Sequence, residues 1–182
     1  MDNFKKIYED AKWEWIKKQH PVSCKNDPNS FERGFKPLAS FPKISGAPSL
    51  ERAITDYLKF IGHQCSKITT SGRYVAGKKL VGVNSVLGMT KSLDTGTYIP
   101  GGSTKGVADL LAIIYGLSFS IEIKYSKGDR QRETQKKYQS AVENAGGFYM
   151  ITKSFEEFIL QLNEILELPQ VILMREFQKN KK

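Results

Sequence analysis

The chain contains no apolar run approaching the roughly 20 residues that a helix needs to cross a bilayer. Its first stretch, MDNFKKIYEDAKWEWIKKQ, is charged and amphipathic and lacks the apolar centre of a signal peptide. Cysteine is equally scarce. Cys24 and Cys65 stand alone, without a C-x-x-C pair or a companion histidine cluster. That usage argues against a disulfide framework or a structural zinc and predicts a reducing, cytoplasmic setting. His20 and His63 lie far apart and offer neither a metal-ligand nor a His-Asn-His spacing. No internal repeat is present. Nor is there an acidic residue from Tyr57 to Leu93, although Lys59, Lys67, Arg73, Lys78, Lys79 and Lys91 all fall there.

What is present suits one globular domain with a core, or one domain plus an appendage: 182 residues, 40% hydrophobic, 11% aromatic and 26% charged. A formal net charge of +9 and a pI near 9.4 favour polyanionic partners. A second basic cluster, KNKK, occupies 179–182. Charge alone divides evenly between a solvated face and contact with nucleic acid.

Residues 2–19 place Phe4, Ile7, Tyr8, Ala11 and Trp15 on one helical stripe. Residues 20–48 hold five of the seven prolines (Pro21, Pro28, Pro37, Pro42, Pro48), a density that predicts an extended linker or wrapping arm. Phe31, Phe35 and Phe41 suggest that the arm packs on something. From Ser49 onward Leu50, Ala53, Ile54, Tyr57, Leu58 and Ile61 follow helical spacing, with Ser49 as the cap and Gly62 as the stop. Glu51 falls at the edge of that stripe. Residues 63–70 read as a strand, and the glycine-rich residues 71–105 as hairpins or a mobile loop.

The pattern is clearest from residue 106. GVADLLAII reads as a strand, YG as a turn and LSFSIEIKY as a second strand. In the latter Phe119, Ile121 and Ile123 face one way, and Ser120, Glu122 and Lys124 the other. A helix from about 130 to 145 closes at Gly146 and Gly147, FYMIT follows as a short buried strand, and SFEE opens a last helix through a capping box of Ser154 and Glu157. That helix carries Phe155, Phe158, Ile159, Leu162, Ile165 and Leu166. QVILMREF, beyond Pro169, reads as an edge strand. The expected organisation is an N-terminal helix and proline-rich arm over 1–48, a core over 49–168 and a C-terminal strand or basic tail over 169–182. The expected fold class is α/β, a sandwich around a small mixed sheet.

Three carboxylates stand out: Glu51 on the first core helix, Asp109 in an apolar strand and Glu122 on the next strand. A carboxylate within VADLLAII is expensive to bury unless paired or bound to a cation, although a strand end facing water would also accommodate it. Two adjacent strands can bring Asp109 and Glu122 within reach of one hard cation, and magnesium typically takes one or two protein carboxylates while keeping several waters. Lys124 shares the face of Glu122. There it can polarise a metal-bound water or neutralise charge building on a phosphoryl group.

These residues resemble the split signature of PD-(D/E)XK nucleases, an Asp on one strand followed by Glu-x-Lys on the next, with VAD where that family often has Pro-Asp. GDRQRETQKKYQSAVENAGGFYMI further resembles the VRR-NUC branch, in which a Gln-bearing helix follows the Glu-x-Lys strand. The resemblance covers roughly residues 49–165 and implies a restriction-endonuclease-like α/β sandwich. It assigns metal binding to Asp109, Glu122, the backbone carbonyl of Ile123 and Glu51. It makes Lys124 the catalytic lysine and puts Gln135 in the place of the family glutamine, although helical spacing alone does not choose between Gln131 and Gln135. Mg²⁺, or Mn²⁺ in its place, is the implied cofactor.

The implied activity is metal-dependent endonucleolytic hydrolysis of DNA, most simply by a Holliday junction resolvase-like enzyme of a phage or prophage. Symmetric cutting of a four-way junction needs two sites, hence a homodimer. Lys67, Arg73, Lys78, Lys79, Lys91 and Lys105 are the expected phosphate contacts. Other readings stay open: a nicking, flap or restriction-like nuclease, a DNA-binding or packaging component that keeps the fold without turnover, and a protein partner docked through the N-terminal arm. GGSTKG has a phosphate-loop composition but not the G-x-x-x-x-G-K-[ST] order. Trp13 and Trp15 read as packing residues, with stacking on an exposed base as the alternative.

Overall fold

A computed structural model describes residues 2–68, 73–84, 89–94, 96–99, 105–126 and 128–180. The fold is mixed α/β. Its centre is a four-stranded sheet in the order β1-β6-β7-β8, formed by Gln64–Lys67, Leu110–Ile114, Leu117–Ile123 and Phe148–Thr152. The β1/β6 and β6/β7 pairs are antiparallel, whereas β7 and β8 run parallel. A parallel pair requires a crossover, and helix α5 (Glu133–Asn144) supplies it. Two small hairpin-like pairs lie between β1 and β6: β2 (Arg73–Val75) with β5 (Thr97–Ile99), and β3 (Lys78–Asn84) with β4 (Met89–Asp94).

The sheet separates two environments. Leu110, Ala112 and Ile114 of β6 and Phe119, Ile121 and Ile123 of β7 are buried in one core with Leu50, Ala53, Ile54 and Leu58 of helix α4 (Ala47–Phe60) and Phe155, Phe158, Ile159 and Leu162 of helix α6 (Phe155–Leu166). Each fully buried Leu, Ile or Phe contributes about 1.5–3 kcal/mol, so these stripes fix both helices on one face. Helix α1 (Asp2–Gln19) adds Tyr8 to the same core, edge-on to Phe41, Phe60 and Phe155. The opposite face of β7 carries Ser120, Glu122 and Lys124, all buried.

Helix ends follow local chemistry. Ser49, expected as a cap, sits inside α4, where its hydroxyl accepts from Ser45 N–H at 2.8 Å and Gly46 N–H at 3.0 Å. Gly146, at φ 81°, ends α5, with its N–H on Glu143 O and the Gly147 N–H on Val142 O, a Schellman arrangement that a Cβ would oppose. The Ser154 hydroxyl accepts from Glu157 N–H at 3.1 Å, while the Glu157 carboxylate turns back to Lys153 N–H at 2.7 Å.

Two expectations fail. Most of residues 20–48 is not an extended arm: α2 (Pro21–Asn26), α3 (Pro28–Phe35) and a 3₁₀ turn (Lys36–Ala39) occupy it. Pro21 and Pro28 each open a helix, where the missing N–H has no partner to lose and the fixed φ already suits the helix. Apart from the single residues His20 and Asp27, only 40–46 is irregular. QVILMREF is likewise no strand but part of helix α7 (Pro169–Lys179), again started by a proline. No helix among the described residues is long and apolar enough to cross a membrane.

Candidate functional site

The antiparallel register sets Leu110 opposite Ile121, so continuing it by one residue brings Asp109 beside Glu122. Asp109 precedes β6 by one residue, and its backbone oxygen still accepts from Ile68 N–H at 2.8 Å. Its carboxylate takes over the ladder on the other side: Oδ2 accepts from Ile123 N–H at 2.9 Å. The N–H and C=O of one strand residue point the same way, so the Ile123 carbonyl also faces the Asp109 side of β7.

Glu122 is only 2% exposed. Its Oε1 receives Lys124 Nζ at 2.9 Å and the side-chain amide of Gln135. Lys124 Nζ also reaches Gln135 Oε1 at 3.2 Å and Asp129 Oδ1 at 3.3 Å. Gln135 lies in the first turn of α5, where its Oε1 further accepts from Arg132 N–H at 2.9 Å. One amide thus ties the helix start to both charged groups of β7. Gln131 stands ahead of α5 and hydrogen-bonds Gln139 instead, so of the two glutamines Gln135 is the one in contact with Glu122.

Burial pushes the Asp109 carboxyl above the ordinary carboxylate range, and the charge of Glu51 adds to this against the opposing Ile123 hydrogen bond. Glu122 is raised too, by burial first and by Asp109, against its Lys124 and Gln135 contacts. Burial alone would lower Lys124, but the hydrogen bond and charge of Glu122, with Asp129, outweigh it and hold its pKa above the usual lysine value. The Glu122 and Asp129 contacts thus favour the charged form of Lys124.

Glu51 acts on Asp109 through space, while its own carboxylate is paired with Lys67. Among the described residues no three His, Cys, Asp or Glu side chains converge into a metal-binding group, so the acidic centre is Asp109 with Glu122. Two residues escaped the sequence reading, Asp129 and Tyr149, and a third, Ser120, was placed on the right face without its partner. Asp129 offers no pattern in its loop. Ser120 and Tyr149 are Cα partners across β7 and β8, a pairing that strand alternation cannot reveal. Ser120 Oγ, Glu122 Oε2 and Tyr149 Oη are buried without a hydrogen-bond partner, with the Gln131 amide beside Tyr149 but not in good bonding geometry.

Of the expected phosphate contacts, Lys67 is occupied by Glu51 and Lys105 is exposed ahead of β6. Arg73, Lys78, Lys79 and Lys91 lie on β2, β3 and β4, their side chains outside the description. Most of GGSTKG and the last two lysines of KNKK also lie outside the described residues. Trp13 and Trp15 pack against Phe31 and Phe60. No protein-family model, no curated protein and no solved structure matches this chain.

Proposed function

We propose that this chain is a divalent-metal-dependent endodeoxyribonuclease with a restriction-endonuclease-like fold, acting on branched DNA as a homodimer. The observation that carries the reading is the desolvated pair Asp109 and Glu122 on neighbouring strands, with a cationic Lys124 2.9 Å from Glu122. Burying two carboxylates side by side, with Asp109 raising Glu122, is unfavourable for folding alone and suits a site that receives a cation.

The donor set fits Mg²⁺ or Mn²⁺. The unpartnered Glu122 Oε2 has acceptor capacity to spare, and two carboxylates with one backbone carbonyl match a hard cation that retains waters. Asp109, Glu122 and the Ile123 carbonyl would hold it, while Glu51, engaged by Lys67, stands outside that inner set. A cation there supplies Lewis-acid polarisation of a phosphoryl oxygen and a lowered pKa for bound water. Lys124, whose charged form its partners favour, would offset the negative charge that builds on the phosphoryl group. Gln135 holds Glu122 and Lys124 in one orientation relative to α5. Lys105 and the basic strands between β1 and β6 contact phosphates irrespective of sequence, so binding weakens steeply with salt.

The test is cleavage of labelled four-way junction, flap, duplex and single-stranded DNA in Mg²⁺, Mn²⁺ or EDTA. Asp109→Asn and Glu122→Gln serve as isosteric variants whose folding is checked by circular dichroism. Metal-dependent symmetric cuts in the junction, lost in both variants, are expected. Cutting of flaps or plain duplex would keep the site and discard the substrate. Binding without cutting in either metal would reduce the protein to a DNA-binding component.

A further inference from the structure

At the far end of the sheet from Asp109 and Glu122, the turn between β6 and β7 meets the C-terminal ends of α1 and α4 and the side of α7. A cleft of about 370 Å³ opens there, within the range of small-ligand sites. Strand β7 from Leu117 to Glu122 spans roughly 17 Å at ~3.3 Å per residue, so the two sites are separate. Lys18, Lys59, Arg175 and Lys179 line the cleft, and among the described residues no acidic one does. None of these four cations has an ion-pair partner among the described residues.

Helix-end electrostatics do not account for the cluster. Lys18, Lys59 and Lys179 stand in the last turns of α1, α4 and α7, where a cation offsets the helix dipole. Each helix end carries only about half a negative charge, so four full positive charges exceed the need, and Arg175 lies a turn away from the end it would serve. The aromatic walls are equally specific. Lys59 Nζ lies 5.5 Å from the Trp15 ring centre and the Arg175 guanidinium 5.6 Å from that of Tyr115.

Tyr115 adopts φ 50°, a left-handed conformation that opposes a bulky side chain by about 1–2 kcal/mol and that Asn or Gly would adopt readily. The conformation is set by the hairpin: Tyr115 and Gly116, at φ 50° and 80°, form the two-residue turn between the paired Ile114 and Leu117, and such a turn needs positive φ at both positions. The turn places the Tyr115 ring in the wall of the cationic cleft, edge-on to His63 at 4.5 Å.

We propose that this cleft is a binding site for a nucleoside phosphate, either a free nucleotide or a unit of a single strand, its phosphate held by Lys59 and Arg175 and its base against Trp15 and Tyr115. The site stands whether or not the chain is a nuclease.

Isothermal titration of the full chain with AMP, pentathymidylate and inorganic phosphate tests it. AMP or the oligonucleotide should bind more tightly than phosphate. Lys59→Gln and Arg175→Gln should each weaken that binding by about tenfold, the scale of one charge-assisted contact, while Lys136→Gln on α5 should not. Tyr115→Asn is the decisive variant: it relieves the backbone, so its thermal midpoint should rise while its affinity falls. Tighter binding of the strand than of AMP would assign the nucleic acid as the source, and equal binding the free nucleotide. The proposal is overturned if neither probe binds, if phosphate matches AMP, if Tyr115→Asn keeps full affinity, or if phosphatidylserine vesicles alone engage Lys59 and Arg175.

Discussion

Lys124 Nζ lies 2.9 Å from Glu122 Oε1, the two side chains 6% and 3% exposed on one face of β7. A buried pair of this kind adds little net stability, yet removing one partner strands the other. Lys124→Ala should destabilise the fold by about 3–5 kcal/mol. The double variant Glu122→Gln, Lys124→Met should regain most of that, because neither member of the pair is left as a bare buried charge and Asp129, the other partner of Lys124, is exposed. Urea unfolding of the two variants checks this, and equal loss in both would show that the pair is not what the fold depends on.

Asp109 carries a pH signature. Its folded pKa stands above the ordinary value, through burial first, so the folded state binds its proton more tightly than the unfolded chain does. The associated stability is fully present below the unfolded pKa of about 3.9 and is lost as pH rises through the folded pKa. Asp109→Asn, which keeps an acceptor for Ile123 N–H, should therefore melt above the parent at pH 7 and level with it near pH 3.5. Each 1 kcal/mol of difference registers as about 2–4 °C in a domain of this size. A gap independent of pH would exclude this account.

Gly106 holds the approach to Asp109 against the start of α5. Its φ is 85°, and a Cβ there would fall 2.3 Å from the backbone oxygen of Thr134 and 2.9 Å from Gln135 N. Gly106→Ala should destabilise the protein by more than about 1 kcal/mol and shift the Gln135 amide resonances in an NMR spectrum. Gly128→Ala, which meets nothing within 4 Å, is the control.

The N-terminal helix is built into the core. Tyr8, 2% exposed, contacts Phe41, Phe60 and Phe155, so Tyr8→Ala should cost about 3–5 kcal/mol in guanidinium unfolding, as other large aromatic truncations do. A loss under 1 kcal/mol would mean that the helix is a detachable appendage.

Local patterning alone showed a helix from Ser49, which the structure opens two residues earlier at Ala47, the helix after Ser154, a strand pair over 106–126, which the structure confines to Leu110–Ile114 and Leu117–Ile123, and the common face of Ser120, Glu122 and Lys124, because periods of 3.6 and 2 are written along the chain. The same reasoning failed at 20–48. Proline content reports what a residue cannot do inside a helix, not that Pro21, Pro28 and Pro169 would each fall at a helix start. It failed also at QVILMREF, too short a run for apolar pattern to separate helix from strand. Tertiary structure decided the rest. The Asp109 carboxylate on Ile123 N–H, Gln135 rather than Gln131 at Glu122, Asp129 on Lys124 and Tyr149 beside Ser120 all follow from register and from where α5 lands. Register is a choice among pairings between distant segments. No residue encodes it by itself, and the packing of the two sheet faces selects it.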